Sequence, residues 1–147
     1  MSPFDWHAMV LAKHAQHVVL IHFPIALYVT AVGLDVLAQL RKKPEWETAV
    51  FLNLTVAALF TVPAILTGVI AWQWQLEGQR IKGVLLYHLL CAGAAAVLIA
   101  TTWWLHFRRR NLAAPPSVQL TTVVELVGVF FVGLAGHLGG ILSGVNS

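Results

Sequence analysis

Charge and cysteine are what this sequence has least of. Its 147 residues include nine Lys or Arg and six Asp or Glu, 10% of the chain, where a soluble domain carries about 25%. So few charges cannot coat a globule in water. A hydrophobic content of 59% and a mean hydropathy of +0.78 place the chain in a lipid bilayer instead. A single cysteine, Cys91, excludes an intramolecular disulfide and any Cys-based zinc or iron–sulfur site, and within its apolar run it reads as a small core residue. The pI of 9.4 would suit nucleic acid, but such binders gather Lys and Arg on one face, whereas here they form short clusters between apolar runs. No motif supports a hydrolase, a kinase or a nucleic-acid function.

The positions of the few charges divide the chain into long apolar windows. His14 to Leu34, Thr48 to Leu76 and Gly83 to Phe107 are free of Asp, Glu, Lys and Arg over 21, 29 and 25 residues. Each exceeds the roughly 20 residues that cross a bilayer. The last run, Asn111 to Ser147, contains only Glu125. These windows predict an all-α, integral membrane four-helix bundle with spans near 17–40, 48–75, 84–107 and 118–143. Short connections make it up-down-up-down, and residues 1–147 leave no room for a second domain.

Basic residues mark the cytoplasmic side of membrane proteins. Arg41, Lys42 and Lys43 fall in the first loop and Arg108, Arg109 and Arg110 in the third, against Lys13, Arg80 and Lys82 on the other side. Both termini are therefore expected to face outward, which in a bacterium is the periplasmic side of the inner (cytoplasmic) membrane. The apolar run of the first span is longer than a signal-peptide core of about 7 to 15 residues and is read as a retained anchor. Ser2-Pro3 resembles a helix start, so residues 1–16 are read as a short surface segment, helical from Pro3, with Phe4, Trp6, Met9 and Leu11 toward lipid. Pro115-Pro116 separates the third span from the fourth.

Seven histidines outnumber the acidic residues, and most lie in or beside the spans, where ionisable groups are rare and costly. His22 and His88 fall about five residues inside the outer ends of the first and third helices, and His137 about six residues before the outer end of the fourth. All three are expected about 8 to 10 Å below the outer boundary. His17 lies at the mouth of the first helix, five residues from His22 and thus about 140° around it. His14 can share a face with His17, and His7 belongs to the surface segment. His106, at the opposite end, reads as an interfacial residue beside Trp103, Trp104 and the arginines.

Two histidines facing each other across a bundle are a common way to hold the iron of haem b. In this topology the first and third helices are diagonal, so His22 and His88 are the best-placed pair. His137 is able to replace either, or to pair with His17 at a second site. Gly133, Gly136, Gly139 and Gly140 would make room for a flat cofactor, although small residues also serve plain helix packing. Pro24 and Pro63 offer kinks. Neutral imidazole suits Zn, Cu and Ni as well as Fe. Near the inner end Asp35 and Glu125 share a depth and favour a structural role, bonded to each other or to snorkelling Arg108 to Arg110. Trp46, Trp72, Trp74, Trp103 and Trp104 fit interfacial belts. Tyr28 and Tyr87 have hydroxyls to offer a cofactor.

The stretch His17-Val-Val-Leu-Ile-His22-Phe23-Pro24-Ile25-Ala26-Leu27 resembles the opening motif of a bacterial membrane family known as domain of unknown function 2231. Leu86-Tyr87-His88-Leu89-Leu90 resembles that family's third-helix histidine segment, and Gly136-His137-Leu138-Gly139-Gly140 its glycine-rich ending. Val18 stands where the family often has proline. The resemblance spans about residues 17–144 and implies a compact four-helix membrane protein, often encoded with or fused to c-type cytochrome modules.

Two functions from different classes follow as expectations. The first is an electron-transfer subunit with one or two haem b groups held near the outer face by His22 with His88 or His137, exchanging electrons with a c-type cytochrome or a quinol. It acts as a redox carrier rather than a stand-alone enzyme. The second is a cofactor-free membrane anchor or assembly subunit of a respiratory complex, its histidines bonding helix to helix. A metal or proton relay is disfavoured, since the gap between the histidines and the inner Asp35 and Glu125 is apolar.

Overall fold

The computed structural model describes residues 13–75, 78, 80–111 and 117–144. Four helices make up almost all of it: α1 Lys13–Arg41, α2 Glu47–Gln75, α3 Val84–Asn111 and α4 Val118–Leu142, with a 3-10 turn at Pro44–Trp46. All four are long and apolar enough to cross a membrane. The shortest, with 25 residues, is about 37 Å long against a hydrocarbon core of about 30 Å. The protein is an integral membrane helical bundle. α1 begins at Lys13, inside the stretch read from sequence as a surface segment. The remainder of that segment, with His7, and the Pro115-Pro116 boundary lie outside the described residues.

Local chemistry sets the helix ends. After Arg41, Lys42 turns into the left-handed region at φ 53°. There Lys43 N–H reaches Ala38 O at 2.9 Å and Lys42 N–H reaches Gln39 O at 3.3 Å, the paired closing bonds of a Schellman stop. Pro44 then starts the 3-10 turn, where its missing N–H costs nothing. So short a link forces α1 and α2 to be antiparallel. Gly83, at φ 59°, precedes α3. Ser117 caps α4 by accepting Leu120 N–H at 3.2 Å.

α1 packs chiefly on α2 and α3 on α4, with lighter α2–α3 and α1–α4 contacts closing the square. α1 and α3 are diagonal. We call the end where α1 starts and α4 finishes the terminal end, and the end with Arg41 and Arg108 to Arg110 the arginine end. Lipid is as apolar as leucine, so helices in it are held by close packing and interhelical hydrogen bonds rather than by the hydrophobic effect. The seams follow that rule. Ala31, Val32 and Ala38 of α1, Val50, Leu54 and Ala57 of α2, Ala95 and Ile99 of α3 and Gly128 and Val132 of α4 are buried. Large apolar residues such as Leu40, Leu59, Val97 and Phe130 point outward, more than 60% exposed, into what is hydrocarbon.

This core fills the arginine half and the middle of the bundle. Beyond the level of Ala95 and Val132 toward the terminal end, only Ala71 and Leu85 are buried among the described residues. Tyr28 lies near the middle. Fully buried, it accepts from the Thr102 hydroxyl across the diagonal at 3.0 Å and donates to the backbone carbonyl of Glu125 at 3.3 Å. Its ring fits only because position 128 lacks a side chain: a Cβ there would overlap the phenol, 2.8 Å from its Cζ. Additional bonds join the remaining seams. Trp103 Nε1–H donates to the Thr55 hydroxyl at 3.1 Å, from α3 to α2, and Gln39 Nε2–H donates to the Thr122 hydroxyl at 3.2 Å, from α1 to α4.

The tyrosine is held at its hydroxyl and has no room to give. Gly128→Ala is therefore expected to cost about 1 to 3 kcal/mol through overpacking. Gly133→Ala, where a Cβ meets nothing within 4 Å, should change stability by less than about 0.5 kcal/mol. Unfolding of the two variants in mixed detergent, followed by circular dichroism, compares them directly.

Candidate functional site

The fold sorts the four candidate histidines by face. On α1 the inward positions run His17, Ile21, Pro24, Tyr28, Ala31 and Asp35; on α3 they run Leu85, His88, Ala92, Ala95, Ile99, Thr102 and His106. His17 and His88 sit on these seams, half-buried, whereas His22 and His137 lie on exposed faces. The pairing of His22 with His88 through the core is thus not what the bundle presents. The expected common depth also fails for His22. Measured from the Tyr28–Thr102 bond, His22 is six residues away and His88 fourteen, or about 9 and 21 Å along the axes. His17 is eleven residues from Tyr28, about 16 Å, within one turn of the level of His88. α1 starts at Lys13, four residues before the expected boundary at 17, so His22 lies that much deeper along its helix.

Each inward histidine meets a neighbouring helix. His17 Nδ1 lies 3.1 Å from the Thr67 hydroxyl on α2, and its ring packs on Gly68, where a Cβ would come within 3.0 Å of Cε1. The Thr67 hydroxyl already donates its one hydrogen to Pro63 O at 2.8 Å and Ala64 O at 3.1 Å. His17 Nδ1 is therefore the donor. His88 Nδ1 lies 3.0 Å from the Ala135 carbonyl on α4, which only accepts, and its ring packs on Gly139, whose Cβ would lie 3.3 Å from Cε1. A carbonyl can only accept, so His88 donates its Nδ1–H. A carbonyl or hydroxyl fixing one ring nitrogen is how proteins orient a metal-ligating histidine. His22 Nδ1–H instead closes on Val18 O of its own helix.

Of the glycines expected to clear a pocket, Gly139 has a role of that kind, against His88, whereas Gly133 and Gly136 face open space. Tyr28 turns its hydroxyl to Thr102 and Glu125 and is structural. Cys91 is half-buried and free.

At the arginine end the structure assembles a group that the sequence reading divided. His106 is not interfacial. It is 5% exposed, on the same seam as Thr102, and its Nε2 lies 2.7 Å from Glu125 Oε1. Asp35, 3% exposed, completes the cluster: one donor atom from each of Asp35, His106 and Glu125 lies within 4.8 Å of the others. Asp35 accepts from Gln39 Nε2–H, one turn along α1. The comparable depth expected of Asp35 and Glu125 is present, with the imidazole beside them. The 3-4 spacing Ala95, Ile99, Thr102, His106 was the available signal, overshadowed by the adjoining tryptophans and arginines.

The three arginines divide their work. Arg108 stacks over Trp104 and Arg110 over Phe51, each 4.7 Å from the ring centroid, where a cation gains from the ring's negative face. Arg109 turns inward. With Glu47, His106 and Arg110 it lines a cavity of about 180 Å³.

Removing one partner of a buried hydrogen bond leaves the other unsatisfied, at a cost of about 1 to 3 kcal/mol, while an apolar replacement of both can be nearly neutral. His106→Leu is thus expected to destabilise the bundle by that amount and His106→Leu/Glu125→Met by much less. A double-mutant cycle of detergent unfolding free energies reads the coupling.

The profile of the family described as predicted membrane protein DUF2231 matches residues 13–145. No curated protein and no solved structure matches the chain.

Proposed function

The chain belongs to the DUF2231 family of membrane proteins, and from that premise we propose that it is an electron-transfer subunit of the cytoplasmic membrane, holding haem b near its periplasmic, terminal end through His17 and His88. The observation that carries this reading is the shared state of the two rings. Both face the bundle interior from diagonal helices, and each has its Nδ1 held by a neighbouring helix, by Thr67 and by Ala135, which fixes the plane of the ring. The sparse burial of the terminal half and the glycines beneath both rings favour a bulky group there rather than at the packed arginine half. Haem, when bound, supplies one-electron chemistry at a potential set by its axial ligands and their hydrogen bonds. The protein's part is to orient two imidazoles and exclude water. A periplasmic c-type cytochrome or a quinol is the partner at that end.

A second reading has an observation of its own. The same two bonds join α1 to α2 and α3 to α4, as expected of a cofactor-free anchor or assembly subunit of a respiratory complex.

Reduced-minus-oxidised absorption spectra of the detergent-purified protein, with pyridine haemochrome quantification, separate the two. The expected result is a bis-imidazole haem b spectrum that His17→Gln or His88→Gln abolishes and His22→Gln and His137→Gln leave intact. A folded protein that stays colourless when expressed with excess haem and reconstituted with it would leave the scaffold reading in place.

A further inference from the structure

Two carboxylates and an imidazole buried together inside a membrane span need a reason, because each charge there is costly unless paired. Asp35, His106 and Glu125 come from α1, α3 and α4 and are 3%, 5% and 0% exposed. Their hydrogen bonding is incomplete. Glu125 Oε2 and Arg109 Nη1 are both buried without a hydrogen-bond partner among the described residues. An orphan acceptor in the cluster and an orphan donor at the cavity that His106 also lines mark places for exchangeable water or a proton. The cavity lined by Glu47, His106, Arg109 and Arg110 lies beside them, and His106 belongs to both, lining the cavity while its Nε2 lies on Glu125.

The charges decide which cation fits. From α1 the site is faced by Asp35, from α2 by Glu47 at the cavity, from α3 by His106, Arg109 and Arg110, and from α4 by Glu125. Arg110 and Glu47 offset each other at the cavity. Counted as formal charges, the two carboxylates inside against Arg109 leave one negative charge. A single proton neutralises it. A divalent ion would overshoot by one and would meet Arg109 and Arg110 on the cavity side, an arrangement that low dielectric makes expensive.

We propose that Asp35, His106 and Glu125 form a proton-binding site within the membrane, loaded through His106 from the arginine-end cavity. His106 takes a proton from cavity water and becomes imidazolium. Its Nε2–H then passes to Glu125 Oε1, 2.7 Å away: one N–H bond breaks, one O–H bond forms, and the ring returns to neutral. Asp35, oriented by Gln39, lies beside the ring and stabilises the imidazolium. No oxidant, reductant or other reactant is required.

Infrared difference spectra of the detergent-purified full chain, taken across the range in which imidazole titrates in H2O and in D2O, test the site. The wild type is expected to gain a protonated-carboxyl C=O band on acidification, shifted in D2O. Glu125→Gln should remove the band, and His106→Gln should slow its appearance after a pH jump about a hundredfold. Three results would overturn the proposal: a wild-type spectrum with no such band or with one indifferent to pH, a band that survives Glu125→Gln, or one equivalent of Zn2+ retained by the wild type and lost with Glu125→Gln. The wild-type spectrum decides the matter by itself should the variants fail to fold.

Discussion

Tyr28 is the contact on which the bundle depends. In lipid there is no hydrophobic force to press helices together, so they associate where backbones approach closely and polar groups find partners. Tyr28 meets both conditions at once. Its ring occupies the space that Gly128 leaves open on α4, and its hydroxyl links Thr102 on α3 with the carbonyl of Glu125. One residue of α1 thereby fixes the axial register of three helices, and every other depth in the molecule is measured from it.

That register determines what gathers at each end. Toward the arginines, Asp35 lies seven residues beyond Tyr28, His106 four beyond Thr102, and Glu125 on the bonded turn itself, so three ionisable groups meet in the buried core. Toward the other end burial falls, and Gly68 and Gly139 make room for the two imidazole rings. His17 and His88 are then satisfied within helix pairs rather than across the bundle. The two ends are thus chemically different: a packed, charged core beside a basic loop cluster, and a loosely buried half with two oriented imidazoles.

Much of the fold was legible from composition alone. Windows of more than twenty uncharged residues force helices, because only internal hydrogen bonding satisfies a backbone in hydrocarbon, and short links force them antiparallel. The site was only partly legible. Asp35 and Glu125 stood out because charges are rare in apolar runs. His106 did not, since its neighbours Trp104 and Arg108 belong to the interface while its own position, one helical step away, faces inward. His22 and His137 drew attention by spacing and motif yet point to the lipid side.

The sequence by itself determined that the protein is membrane-embedded, that it has four antiparallel helices and which end is basic, because these follow from hydrophobicity and charge summed over twenty residues at a time. Only the tertiary structure decided which histidines face inward, which share a level and which neighbouring helix each ring meets. Those depend on the rotation and axial offset of each helix, where a shift of one residue turns a side chain by about 100°. The offset is set by a single tyrosine seated on a glycine, a contact that no local pattern announces.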